Sequence, residues 1–552
     1  MQTLSTGERK TAIMSPETVE TSAAIPGSRI QAQWRPTSPF FSAQRTPFTP
    51  CHEWLSVRPV DLSAVWNTDR GTWLLLGICG SGMRSLCQQL LHYGDRVIGS
   101  DSCRESLRRL AAEQSQACRQ GQLQLVDAAD VSLLQEHSLT AVVRSLAVPE
   151  SPDLSAAAAA AGIPFLTLPQ AVAQRAAAQR QLCVAGTHGK TTTSGMLWWI
   201  LQQAQPTGLF LGGELCSETG RLFAERSRTH TPPVAVIESC EYRRSFLHFR
   251  PASAILTGIE PDHFDCFASE SELLQAYAEF LALVPADGTV IHDTGCLRSL
   301  RLVSQCAARP LGFSLSYTGR AEWCIRDVTP RTDLSAAEVS GSGCRFRMHH
   351  LDGRKLFVEI PMPGVHNAKN AAAAILTAEL EGVAAEHAVE LLRTFPGIRR
   401  RFEFRGEYRG ALLFDDYAHH PTAIRETLAA ARMVYPGRRL LVVFEPHQLE
   451  RLRRLEEGFA AALSAADQVY VLPVLPAREQ VSTEVAEQAA AVLVERIRQS
   501  GGFSRLVNSL DRVPMTLDDA VLGGEVVITM GAGRTNTIHD EINRRVQRDF
   551  AA

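Results

Sequence analysis

The stretch Ala185-Gly186-Thr187-His188-Gly189-Lys190-Thr191-Thr192-Thr193 combines the residue types that hold a polyphosphate. It follows the apolar run Leu182-Cys183-Val184 and precedes a helical pattern from Ser194 to Gln203. Glycines let backbone N–H groups approach phosphate oxygens, and a helix N-terminus adds a favourable dipole. In that setting Lys190 can reach the β- and γ-phosphates, and the Thr191 hydroxyl can ligate Mg²⁺. A full G-x-x-x-x-G-K-T loop would put its first glycine at Val184, so this is a shortened variant. A Gly-rich turn that binds nothing would leave the strand–loop–helix context without a purpose.

Two further groups lie behind this loop. Pro233-Val234-Ala235-Val236-Ile237 is a buried-strand pattern ending in Glu238. An acid at a strand end beside a phosphate loop is well placed to bind the nucleotide's Mg²⁺. A second strand pattern, Ser253 to Thr257, runs into Gly258-Ile259-Glu260-Pro261-Asp262-His263, where His263 could ligate a second metal ion or contact a phosphate. Taken singly, each is an ordinary surface acid or histidine. On adjacent strand ends of one phosphate-binding domain they favour function. Glu241, three residues past Glu238, is expected to matter less.

A second Gly-rich turn, Gly77-Ile78-Cys79-Gly80-Ser81-Gly82, follows the strand pattern Thr72 to Leu76 and precedes a helical pattern from Met83 to Tyr93. Val97 to Asp101 then reads as a second strand with an acid at its end, about where a ribose-binding acid belongs. Cys79 occupies the second glycine of G-x-G-x-x-G, and these residues do not separate NAD from a UDP-sugar.

The elements that must position these residues alternate short apolar runs with amphipathic helical stretches from Trp73 onward, the pattern of stacked βαβ units. Three blocks emerge, expected at 68–176, 177–386 and 387–552. The last carries the runs Ala411–Phe414, Leu440–Phe444, Val469–Leu472 and Val526–Met530, each ending in a polar or Gly-rich loop. Open α/β sheets bind their ligands at such strand ends. Leu154 to Ala173 is Ala-rich, but Pro164 and Pro169 interrupt it, so it reads as a helix followed by a strand and not a membrane span. Residues 1–67, rich in Ser, Thr, Pro and Gln, are expected to form a disordered tail.

Composition sets the class. At 552 residues the chain exceeds one hydrophobic core, and 45% hydrophobic with 21% charged residues is globular. A net charge of −3 offers no electrostatic case for nucleic acid or an anionic membrane as partner. The thirteen cysteines are scattered without a C-x-x-C pair, which suggests free thiols in a reducing cytosol. No apolar targeting segment opens the chain.

Taken in order, the motifs resemble those of the Mur ligases from about Trp73 to Ile538. They are GICGSGM (77–83), GTHGKTT (186–192), ESCEYRRSFL (238–247), GIEPDHFD (258–265), PGVHNAKN (363–370), GIRRRF (397–402), DDYAHHP (415–421), FEPH (444–447) and MGAG (530–533). The resemblance is nearest to members that join L-alanine to UDP-N-acetylmuramate. It implies an α/β chain of three domains: N-terminal Rossmann-like, central P-loop ATPase-like and C-terminal Rossmann-like.

It also implies roles. Gly186, Thr187, His188, Gly189, Lys190, Thr191 and Thr192 would hold the ATP phosphates, and His366, Asn367 and Asn370 match the segment near the adenine. Arg401 and Asp416 match the third domain's arginine and its ribose-contacting aspartate. Thr191, Glu238 and His263 would hold Mg²⁺, and Lys190, Glu238 and His263 would serve the chemistry. Gly77, Gly80, Ser81, Gly82, Met83, Asp101 and Ser145 would bind UDP, and His447 with Arg451 the amino acid. The implied reaction is ATP-dependent amide formation through an acyl phosphate, in a cytoplasmic enzyme that is a monomer or weak homodimer. Arg144, Cys240, Gly258, Gln448-Leu449 and Arg534 depart from the family pattern at expected substrate walls. The rival readings are a murein tripeptide ligase, a nucleotide-binding regulatory protein without turnover and a plain P-loop kinase.

Overall fold

The computed structural model describes residues 70–216, 233–316, 319–331 and 342–551, with side chains up to 545. The tail expected over 1–67 lies outside the described residues. Three sheets follow one another along the chain.

The first sheet contains β1 (Thr72–Leu76), β2 (Arg96–Ser100), β3 (Leu123–Val126), β4 (Ala141–Arg144) and β5 (Phe165–Thr167), all parallel in the order β3-β2-β1-β4-β5. Strand period decides its packing: Trp73 and Leu75 enter one core cluster, Leu74 and Leu76 the other. Both faces are covered, which is why β1 reads as an unbroken apolar run. The order reverses at β1, so the Gly77 turn opens beside the end of β4, where Ser145 follows.

The second sheet has nine strands, ordered β14-β13-β12-β11-β10-β9-β6-β8-β7. Those bearing on the site are β6 (Arg180–Ala185), β7 (Thr207–Phe210), β8 (Val234–Glu238), β9 (Pro251–Leu256) and β10 (Thr289–Asp293). The others are β11 (Arg309–Ser314), β12 (Trp323–Pro330), β13 (Cys344–His350) and β14 (Lys355–Ile360), with β12 to β14 antiparallel. β6 lies between β8 and β9, parallel to both. The loop after β6 therefore sits between the end that carries Glu238 and the end that leads to His263.

The third sheet contains β15 (Glu403–Tyr408), β16 (Ala411–Asp416), β17 (Leu440–Phe444), β18 (Gln468–Val471), β19 (Ser504–Leu506) and β20 (Val526–Met530), ordered β15-β16-β20-β17-β18-β19. DDYAHHP, MGAG and FEPH leave the C-terminal ends of three adjacent strands, β16, β20 and β17, although they are far apart in sequence.

Several expected bounds shift. The helix after the phosphate loop is Lys190–Ala204, starting four residues before the expected Ser194, because Gly189 already caps it. The helix after the first turn is Ser81–His92, not Met83 to Tyr93. The stretch read as helix then strand forms helix Pro152–Ala160, strand β5 and a further helix, Leu168–Arg175, which starts on a capping box of Thr167 and Gln170. The expected boundary at 386/387 falls inside helix Ala385–Leu392. Ala385, Ala388, Val389 and Leu392 pack into the central core with Leu182 and Trp198, so that core runs on to Ile398. Among the described residues no helix is long and apolar enough to cross a membrane, and every described cysteine is free.

Candidate active site

The phosphate loop has no room for side chains where its glycines stand. Gly186 has φ +130°, and a Cβ there would lie 2.1 Å from Thr257 Oγ1 and 2.9 Å from the Gly258 carbonyl oxygen. Gly189 has φ +79°, and its Cβ would meet Asn370 Oδ1 at 2.5 Å. Only glycine accepts that backbone and that closeness. The loop is fastened to the segment after β9: the Thr187 N–H donates to Gly258 O (2.8 Å), and Thr187 Oγ1 exchanges hydrogen bonds with Glu260 O and N (3.0 and 2.9 Å). Thr257 Oγ1 donates to His188 O at 2.5 Å.

Lys190 is buried with its ammonium folded over this loop. It donates to Gly186 O, to Thr187 O (3.1 Å) and to Glu241 Oε2 (3.0 Å). Burial alone would lower its pKa; the Glu241 carboxylate, only 1% exposed, outweighs that and holds the ammonium above its usual range. Lys190 therefore carries a fixed positive charge at the point where phosphates would lie. Thr192, two residues further on, is buried as well.

Thr191, in the first turn of helix Lys190–Ala204, meets Glu238 at the end of β8. Thr191 Oγ1 donates to Glu238 Oε1 at 3.0 Å, and the Gly212 N–H donates to Glu238 Oε2 at 2.6 Å. A hydroxyl and a carboxylate are the hard oxygen donors Mg²⁺ prefers, so this pair fits that ion. His263 stands apart from them, in a cluster with Cys240 and Glu241 whose possible ligand atoms lie within 4.8 Å of one another; its Nε2 is 3.8 Å from Glu241 Oε1. Of the residues expected to serve metal binding, Thr191 and Glu238 are thus in contact with each other, and His263 is grouped with Glu241.

The residues expected near the adenine come from helix Val365–Leu380, which packs along Lys190–Ala204. Asn367 Nδ2 donates to Pro363 O (2.7 Å) and Asn370 Nδ2 to Asn367 Oδ1 (3.2 Å), which brings Asn370 against Gly189. His366 lies on the same first turn, its Nδ1 3.8 Å from Glu426 Oε2. On the third domain the Arg401 guanidinium lies 5.3 Å from the Tyr417 ring centre. Asp416 is buried, and its two oxygens accept from the N–H groups of Phe402 and Ala418 at 2.8 Å. Burial raises its carboxyl above the usual range, against the pull of Arg401.

In the first domain Gly77 has φ +81°, and a Cβ would lie 2.6 Å from Val148 Cγ2 and 3.1 Å from Ser145 Cβ. Asp101, expected where a ribose-binding acid belongs, accepts from the Cys79 N–H through Oδ2 (3.0 Å) and from the Cys103 N–H through Oδ1 (3.1 Å), so it also braces the turn. Gly80, Ser81 and Gly82 form the start of helix Ser81–His92. Met83 is buried in the domain core with Trp73 and Leu86.

His447 and Arg451 come together at the start of helix Leu449–Arg454, with Arg451 Nη1 3.2 Å from His447 Nδ1. Burial, reinforced by Arg451, pushes His447 down to about 4, so its ring is neutral. Three acidic residues join these groups: Glu241, which was expected to matter less than Glu238, and Glu260 and Asp262, to which the sequence reading gave no role. Glu260 Oε2 accepts from Thr422 Oγ1 (2.6 Å) and lies 3.6 Å from His188 Nε2 and 3.7 Å from His420 Nδ1, joining the central and third domains. Both Glu260 and Asp262 sit in the quoted motif GIEPDHFD, and a run of acids after a strand end was the signal that could have found them.

Models of the Mur ligase family catalytic domain, the Mur ligase middle domain and the Mur ligase glutamate ligase domain match residues 75–180, 184–378 and 400–533. A UDP-N-acetylmuramate–L-alanine ligase of Renibacterium salmoninarum is 34% identical over 84% of this chain and 94% of its own length. The chain belongs to the Mur ligase family. A second such ligase, of Chloroflexus aggregans, is also 34% identical, over 86% of this Mur ligase and 98% of the relative. The fold matches the crystal structure of UDP-N-acetylmuramate-alanine ligase MurC of Thermotoga maritima with TM-score 0.69 at 21% identity, covering 87% of this chain and 100% of that one. A murein peptide ligase of Psychrobacter arcticus matches with TM-score 0.63 at 25% identity over 86% and 98%. The expected α/β fold of three domains and the family are both borne out.

Proposed function

We propose that this Mur ligase joins L-alanine to UDP-N-acetylmuramate with cleavage of ATP, as a cytoplasmic, monomeric or weakly dimeric enzyme. The observation that carries the reading is the pairing of a buried loop lysine and a Thr191–Glu238 contact with near-full-length likeness to L-alanine ligases.

A carboxylate is a poor acyl donor because it is anionic and lacks a leaving group. An oxygen of the muramate carboxylate attacks the γ-phosphorus of ATP, ADP departs, and an acyl phosphate forms. The free amine of L-alanine then attacks the acyl carbon; the amide bond forms, phosphate leaves, and the amine gives up its proton. Lys190, held charged by Glu241, stabilises negative charge on the transferring phosphoryl group. Thr191 and Glu238 would hold Mg²⁺, and the ion would supply further charge neutralisation, with His263 beside Glu241. The Gly77 turn with Asp101 and Ser145 would seat UDP. Asn367, Asn370, Arg401 and Asp416 would seat the nucleoside of ATP. No step requires a protein nucleophile.

Phosphate release that requires both UDP-N-acetylmuramate and L-alanine tests this reading; release without either substrate would overturn it. The likeness to a murein peptide ligase favours one second reading, transfer of a tripeptide to the same sugar nucleotide. Equal concentrations of L-alanine and L-Ala-γ-D-Glu-diaminopimelate, with products separated by mass, decide between them. The expected product carries L-alanine alone and not the tripeptide, with glycine used tens- to hundreds-fold less well, since one methyl group is worth roughly 1–3 kcal/mol.

A further inference from the structure

Asp262 lies in the loop after β9 in the central domain, and Arg451 lies in helix Leu449–Arg454 of the third. They form a buried ion pair across the domain boundary, with side chains 7% and 3% exposed. Arg451 Nε and Nη2 both donate to Asp262 Oδ1, at 2.9 and 2.7 Å. Two bonds from one edge of a planar guanidinium fix its plane, which leaves Nη1 directed at His447 Nδ1, 3.2 Å away. The same Oδ1 accepts the His263 N–H at 2.7 Å, and the loop is tied through Glu260 to Thr187 of the phosphate loop.

We propose that Asp262 is a positioning residue for the incoming amino acid: it orients the Arg451 guanidinium that receives the substrate carboxylate. This rests on reading His447 and Arg451 as the amino-acid site. A carboxylate is recognised by a guanidinium in a set plane, because the N–H donors form a rigid fork. An unheld arginine samples many rotamers and presents that fork a fraction of the time. Asp262 holds it from the opposite domain, so the amino-acid site exists in this form only where the two domains meet.

Steady-state kinetics with all three substrates test the assignment on the full chain. Asp262→Asn is expected to raise KM for L-alanine by about 10–100-fold, the range for loss of a charged hydrogen bond. The KM values for ATP and UDP-N-acetylmuramate should move less than about threefold. Arg451→Ala should raise the same KM, and adding Asp262→Asn to it should raise it no further. A loss shared among all three substrates, or independent multiplication in the double variant, would overturn the proposal and leave Asp262 a structural residue. If Arg451→Ala leaves KM for L-alanine unchanged, the amino-acid site itself is misplaced and both readings fall. Asp262→Glu keeps the charge and carries the test where the Asn variant does not fold: an L-alanine KM raised alone supports positioning, and an unchanged one refutes it.

Discussion

At the scale of single residues, Glu238 and Glu241 are three positions apart and do different work. Glu238 binds Thr191 and the Gly212 N–H at the open end of β8, whereas Glu241 is buried against Lys190. Glu238→Gln should therefore lower kcat by at least about 100-fold with little change in melting temperature, and Mn²⁺ should restore part of it. Glu241→Gln, expected from the sequence to be mild, leaves the Lys190 ammonium buried without its counter-charge. That change should cost on the order of 3 kcal/mol in urea unfolding. A melting temperature equal to the parent's would mean the pair contributes nothing. Lys190→Ala should abolish ligation and also destabilise, because it strands Glu241. The double variant Lys190→Ala/Glu241→Gln should regain stability and stay inactive; recovery of activity would remove Lys190 from the chemistry. The lysine was legible from its loop, but its partner was not, since nothing in the spacing of Lys190 and Glu241 brings them together.

Elements act through the ends they present. Helix Thr537–Ala551 follows the MGAG loop and anchors it through His539, fully buried, whose Nε2 lies 2.8 Å from Thr529 Oγ1 on β20. Thr529 Oγ1 in turn lies 2.8 Å from Asp415 Oδ1 on β16, next to Asp416, the residue proposed to contact the nucleoside. Burial, with Arg405 and Arg400 adding, pushes His539 down to about 3. Its folded value is thus below the unfolded one, near 6.5, and the unfolded chain binds the extra proton. Stability from this residue is complete above about pH 6.5 and declines as pH falls toward 3. Melting temperature should accordingly fall less steeply between pH 6.5 and 4.5 for His539→Gln than for the parent. Equal slopes in differential scanning calorimetry would show that the imidazole does not stay neutral in the fold. His539 lies outside the quoted motifs, and a lone histidine in a helical pattern gives no sign of its burial.

For the whole molecule, the segment before the first sheet carries an expectation that rests on composition. Deleting residues 1–65 should leave melting temperature and turnover nearly unchanged, because a Ser-, Thr-, Pro- and Gln-rich segment lacks the pattern needed to form a core. A large drop in either would mean that it docks on the body. By itself the sequence determined the α/β class, the two glycine turns and the strand ends that carry the motifs. These are local matters: an apolar run, a glycine needing positive φ and a helix start lie within a few residues of one another, as in Val184 to Thr191. The tertiary structure decided what long-range packing controls. It placed Met83 in a core, assigned helix Ala385–Leu392 to the central domain, and brought the ends of β16, β20 and β17 side by side. It also joined Lys190 to Glu241 and Asp262 to Arg451, across 51 and 189 residues. Pairs so distant in the chain meet only once sheets and domains have packed, so no local pattern of residue types records them.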